Sequence, residues 1–226
     1  MCCRSVRVDG LHRGWVCSRS SIANAGCGLR LVRRILGKTD VEHRRGEIWG
    51  NDVSGSDCGT MVIRSNTAAG GLAFNAFRTA GCSATRLADP LVYTSIVIPG
   101  GSWTHVAIVV SGTTASTYIN GALSRTDTVA LVDPGLSPYD YRIAWDGFHQ
   151  YRGLLSDLAM WNRALSAAEV GTVRTSGVRA LPSDPALLIS LRADEGSGTT
   201  VADMSGRGHP ATLMGAARWS TTCPWR

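Results

Sequence analysis

From Gly59 to Trp161 the chain runs in short apolar bursts, each closed by Gly, Pro, Asn or Ser. Such bursts at strand length predict β-strands joined by turns. Gly59–Arg64 (G-T-M-V-I-R) and Leu72–Arg78 (L-A-F-N-A-F-R) flank N-T-A-A-G-G and predict a hairpin centred near Gly70. Leu91–Ile98 predicts a strand stopped by Pro99-Gly100-Gly101. Trp103–Val110 and A-S-T-Y-I-N-G-A-L predict a second hairpin region, in which Asn120-Gly121 supplies the left-handed conformations of a tight two-residue turn. Asp133-Pro134-Gly135 and Ser137-Pro138 make a long turn before strands at Tyr141–Trp145 and Leu154–Trp161. A helix over 166–173 starts at a capping box: Ser166 can accept from the third helical N–H while Glu169 reaches back. Many short strands with one short helix predict an all-β antiparallel sandwich.

The order W-T-H-V-A-I-V-V-S-G, then Y-I-N-G, then G-L-L-S-D-L-A-M-W-N-R-A-L-S-A-A-E resembles the second half of a laminin-G-like, concanavalin A-like jelly roll. That family's pattern is W-x-H-V-A-x-x-x-x-G, Y-V-N-G and G-x-I-D-x-x-x-x-x-N-R-A-L-S-x-x-E. After the linker L-P-S-D-P at 181–185, the run L-L-I-S-L-R-A-D-E-G-S-G-T-T-V-A-D-M-S-G-R-G resembles the family's opening strand and its D-E-G-S-G-T-x-x-x-D-x-S-G-x-G turn. The family's beginning thus follows its end. The resemblance implies a jelly-roll sandwich over 46–180. Residues 181–226 then either fold back to supply the strand that the sandwich lacks or form the stub of a second repeat. In the first arrangement Leu187–Leu191 pairs with Leu154–Trp161.

Charge narrows the partner class. The formal net charge is +6. Residues 1–45 hold ten Lys and Arg against three acids, or +7, leaving thirteen basic and fourteen acidic residues, or −1, in the rest. The body has no basic stripe of the kind phosphate backbones require, so nucleic acid is not expected as a partner. No apolar run approaches the ~20 residues of a membrane span, and no apolar core of a secretory signal follows Met1. Residues 1–45 read as a basic, Cys/Arg-rich arm that adds nothing to the fold: disordered, a mis-assigned start, or an organellar transit peptide. Cys2, Cys3, Cys17 and Cys27 lack C-x-x-C spacing and paired histidines, so no zinc site is expected there. Cys58 and Cys82 mirror one another about Gly70 and could form a disulfide, or remain free thiols in a reducing compartment.

Candidate chemistry is sparse. Trp103 and Trp161 match family positions that pack inside, and His105, between apolar neighbours, reads as a buried histidine. The loop Trp145-Asp146-Gly147-Phe148-His149-Gln150-Tyr151 is the most ligand-like stretch, because rings beside Asp and Gln suit the C–H faces and hydroxyl rims of sugars. Asp203 in D-M-S-G-R-G can bond the N–H groups of the turn it opens, and Asp157 reads as a turn or backbone acceptor. With Asp194 and Glu195 nearby, Asp203 and Asp157 are also the candidates for a structural Ca²⁺, although no dense D-x-D cluster is present. The four glutamates, Glu42, Glu47, Glu169 and Glu195, form no E-x-D-x-E run, and no G-x-S-x-G, H-E-x-x-H or phosphate-cradling glycine loop occurs.

These observations predict a non-catalytic carbohydrate or glycoconjugate binder that requires no cofactor. The resemblance implies an extracellular or cell-surface setting with a glycan or glycosylated surface as partner. The rival reading is a structural or adhesive domain, which should expose an extended apolar patch where a sugar binder shows a polar-aromatic rim.

Overall fold

The computed structural model describes residues 5–8, 15–17, 26–33, 45–50, 61–66, 71–76, 92–97, 102–112, 114–128, 141–144, 151, 153–181 and 183–221. Its strands are β1 Ser5–Val8, β2 Trp15–Cys17, β3 Gly26–Arg33, β4 Arg45–Gly50, β5 Met61–Asn66, β6 Gly71–Ala76, β7 Val92–Val97 and β8 Ser102–Ser111. They continue as β9 Thr114–Ile119, β10 Ala122–Thr128, β11 Tyr141–Ile143, β12 Gly153–Trp161, β13 Leu187–Leu191, β14 Thr200–Val201, β15 Ala211–Thr212 and β16 Ala217–Ser220. The helix α1 spans Ala167–Ser176. One sheet has the order β10-β9-β8-β3-β12-β1-β16, with β13 also on β12, and the other β14-β15-β2-β11-β4-β5-β6-β7. Every pairing is antiparallel, and the architecture is a jelly-roll sandwich.

Alternation along the strands divides the core in two. Val106, Ile108, Leu155, Leu158, Met160 and Ile189 of the first sheet pack with Trp49, Tyr141, Ile143, Val201 and Ala211 of the second. The opposite face of the first sheet turns Ala107, Val109, Ala159, Trp161 and Leu187 toward Leu165, Val170, Val173 and Val178 under α1. β12 is therefore buried at all nine positions, which explains its nearly unbroken apolar run. Trp161 is completely buried, whereas Trp103 is only partly so.

The local signals hold. Asn120 (φ 50°) and Gly121 (φ 82°) turn β9 into β10. Asn120 also locks the neighbouring strand: its Oδ1 accepts from the His105 N–H at 3.0 Å, and its own N–H donates to the His105 carbonyl at 2.8 Å. Ser166 and Glu169 form the capping box of α1. The β5–β6 hairpin pairs Met61 with Ala76 and Asn66 with Gly71. Its mirror axis thus falls between positions 68 and 69 rather than at Gly70. Cys58 and Cys82, the candidate disulfide, lie outside the described residues.

The arm requires a correction. The reading of residues 1–45 as a segment that adds nothing to the fold overlooks three strands. β3 lies between β8 and β12 in the middle of the first sheet, pairing Gly26–Arg33 with Val109–Ser102. β1 pairs with both β12 and β16, and β2 joins β11 to β15. The run L-R-L-V at 29–32 carries the apolar residues of a short strand, which a charge count over the whole segment conceals.

At the other end, β13 lies antiparallel to β12, with Leu158 opposite Leu191 and Met160 opposite Ile189. The segment after the linker is folded back against the strand that closes the family pattern. β1 and β13 lie end to end along the same side of β12, meeting at a bulge at Ser156–Asp157 where Asp157 has φ 53°.

Candidate functional site

Of the proposed sugar-binding loop, Trp145, Asp146, Phe148, His149 and Gln150 lie outside the described residues. Tyr151 is described, and its side chain is 2% exposed within the core. It anchors the loop instead of forming an open stacking face: the Tyr151 N–H donates to the Ala144 carbonyl at 3.0 Å, tying the loop's ends together. Ala144, directly after β11, has φ 68°, the left-handed region that a non-glycine residue seldom adopts.

The three candidate calcium aspartates are not brought together. Asp157 is 5% exposed in the β12 bulge, where its N–H donates to the Arg192 carbonyl at 3.3 Å. Asp194 pairs with Arg179 at 3.1 Å. Asp203 is surrounded by donors: Oδ1 accepts from the N–H groups of Ser190 (2.9 Å) and Ser205 (3.0 Å), and Oδ2 from the Ser205 hydroxyl (2.7 Å) and the His209 N–H (2.9 Å). Burial pushes the Asp203 carboxyl up, but these hydrogen bonds outweigh it and hold the group below its ordinary range. Among the described residues, no group of three or more His, Cys, Asp or Glu side chains could hold a metal ion.

A second polar knot sits where β12, α1 and β13 meet. Arg163 donates to Glu169 through Nη1 (3.0 Å) and Nη2 (2.5 Å), and to Asp184 through Nε (3.1 Å) and Nη2 (2.6 Å). The same Glu169 carboxylate accepts from the N–H and hydroxyl of Ser166. The Arg163 guanidinium, aided by Ser166, lowers the Glu169 carboxyl to about 2. These interactions assign a role to the N-R-A-L-S-x-x-E motif. Its arginine links the helix cap to the residue leading into β13, three elements that must come together for the C-terminal segment to dock. The motif indicated the cap, whereas Asp184, twenty-one residues away, carried no sequence signal.

The third feature links the ends of the two sheets, β16 being an end strand of the first and β14 of the second. Trp219 on β16 is partly exposed, packs against the main core and donates from Nε1 to the Gly198 carbonyl at 2.8 Å. The connection into β14 is held at both ends. Glu195 Oε1 accepts from the Ala202 N–H at 2.7 Å, and the Thr199 carbonyl accepts from the Leu213 N–H at 2.7 Å. Ser197, Gly198, Thr199 and Thr200 are exposed. Nothing in the sequence around Trp219 distinguishes it, because its partner is set by sheet closure rather than by spacing.

Comparison with solved structures gives the same architecture. A candidate carbohydrate-binding protein from Bacteroides ovatus matches with a TM-score of 0.70 at 14% identity. The match covers 96% of this chain, which spans only 59% of that protein's length. A heptameric SAP-like pentraxin from Limulus polyphemus matches with a TM-score of 0.57 at 18% identity, over 94% of this chain and 95% of its own. At these identities the likeness speaks for the fold. No curated protein matches the chain in sequence. The family model of the concanavalin A-like lectin/glucanases superfamily matches residues 48–171, which is more than half of the chain, and the chain belongs to that superfamily.

Proposed function

We infer that the chain is a non-catalytic carbohydrate-binding module that recognises a glycan or a glycosylated surface and needs no bound metal to do so. The observation that carries this reading is the engagement of acids among the described residues. Asp127, Glu169, Asp184, Asp194, Glu195 and Asp203 each already accept from an arginine, a hydroxyl or a backbone N–H. Glycosidic hydrolysis needs two facing carboxyl groups available to the substrate, and acids spent on holding turns do not supply them. The superfamily and the Bacteroides ovatus neighbour support a sugar as the ligand. The exposed large hydrophobics among the described residues are Leu123 on β10 and Met204 in the Asp203 turn, on separate elements. That arrangement favours a sugar binder over a scaffold with an extended apolar face. No helix among the described residues is long and apolar enough to cross a membrane.

The test is a glycan array probed with the whole chain, with and without EDTA, followed by assay of the retained glycans for reducing-end release. Retention that survives EDTA with no release is the expected result. Release of sugar would overturn the non-catalytic reading. Loss of retention in EDTA would overturn the metal-free one.

A further inference from the structure

We propose that the indole of Trp219 is the stacking plate of the glycan site, and that it takes an uncharged pyranose lying with its C–H face on the ring; this rests on the reading of the chain as a glycan binder. The indole reaches from β16 to the connection that precedes β14, and it is partly buried against the core and partly exposed. Its only polar atom is committed to the Gly198 carbonyl. What it offers outward is therefore apolar C–H and π surface in a fixed orientation, the form in which an aromatic ring binds a sugar with little loss of side-chain freedom. By contrast, Trp49 and Trp161 are sealed in the core.

The surroundings of the ring suit hydroxyls. Ser197, Thr199 and Thr200 are exposed on a connection whose backbone is pinned at Glu195–Ala202 and Thr199–Leu213. Gly198 has φ +72°, and a Cβ built there would meet nothing within 4 Å, so the space beside the indole's anchor is open. Charge selects the sugar class. Arg218, next to Trp219 on β16, faces the opposite side of the strand, where it lies across from Arg7. Glu195 and Asp194 at the start of the connection are held by the Ala202 N–H and Arg179. Among the described residues, the connection beside the plate thus offers the hydroxyls of Ser197, Thr199 and Thr200, a rim suited to a neutral sugar.

The experiment uses the whole chain on an array of neutral, sialylated and sulfated glycans, with thermal unfolding of each variant as the folding check. Trp219→Leu keeps an apolar cap on the core but removes the ring, and should weaken retention of neutral glycans about tenfold or more. Ser197→Trp leaves the core untouched, crowds the open rim and should also abolish retention, so the proposal stays testable if Trp219→Leu fails to fold. Neutral glycans bound by the natural chain and lost in Ser197→Trp and in folded Trp219→Leu support it. Binding unchanged in Ser197→Trp, or in a folded Trp219→Leu, overturns the plate and leaves the lectin reading standing. Retention of acidic glycans alone overturns the sugar class. No glycan retained by the natural chain overturns the lectin reading itself, and this inference with it.

Discussion

Replacing Asp203 by Ala removes the acceptor that ties the 203–209 turn to β13. Four donors lose their partner: the N–H groups of Ser190, Ser205 and His209, and the Ser205 hydroxyl. Hydrogen bonds to a charged acceptor contribute about 1.5–3 kcal/mol each, but such values do not add within one cluster. The Ser205 and His209 groups lie in a partly exposed turn and can be rehydrated by solvent. Ser190 cannot, because it is 3% exposed within β13, so its orphaned N–H alone costs about 1–3 kcal/mol. The expected loss is about 2–4 kcal/mol, a large share of the roughly 5–15 kcal/mol typical of a folded protein. Asp203→Asn keeps one carbonyl oxygen for Ser190 and Ser205 but turns an amide toward the His209 N–H, and should lose about half as much. The carboxyl is held below its ordinary 3.8, so its contribution is complete above that value and fades as the pH falls through the folded value. Asp203→Asn should lack that component of acid sensitivity. Urea unfolding followed by tryptophan fluorescence reads both effects. A loss in Asp203→Ala within about 0.5 kcal/mol, the scatter of ordinary surface changes, would refute the reasoning.

Four further outcomes are expected. Arg163→Gln should let the Glu169 carboxyl rise from about 2 toward its ordinary 4.5, read by carboxyl NMR titration; because Arg163 is 36% and Glu169 29% exposed, solvent screening limits the stability loss to about 1 kcal/mol. In the natural chain the stabilisation from Glu169 should be complete above about pH 4.5 and decline as the pH falls toward 2, and a flat acid limb would contradict it. Gly121→Ala should cost about 1–2 kcal/mol, mainly from its φ of +82°, since the Arg174 Cδ that the new Cβ meets at 2.7 Å belongs to a flexible side chain. Adding Arg174→Ala should therefore recover little in chemical denaturation. Deleting residues 1–33 removes β3 from between β8 and β12 and should leave an unfolded or aggregated chain by size-exclusion chromatography, whereas a monomer with an unchanged melting point would exclude that strand from the fold.

The sequence by itself determined whatever depends on neighbours a few residues apart. Asn120-Gly121 makes its turn through its own backbone preferences, and Ser166 and Glu169 cap α1 across three residues. The apolar run of β12 and the oxygens of Asp203 indicated a buried strand and a pinned turn for the same local reasons. Tertiary structure decided everything that depends on which surface meets which. Tyr151 reads as a binding ring from its loop, yet sheet packing buries it. Arg163 finds Asp184, and Trp219 finds Gly198, each across twenty-one residues and only because two elements dock. β3 looked like part of a charged arm because net charge averages over a segment, whereas a strand divides its residues between two faces. A sheet selects partners by register and burial across long stretches of chain, and that choice is made only when the layers close.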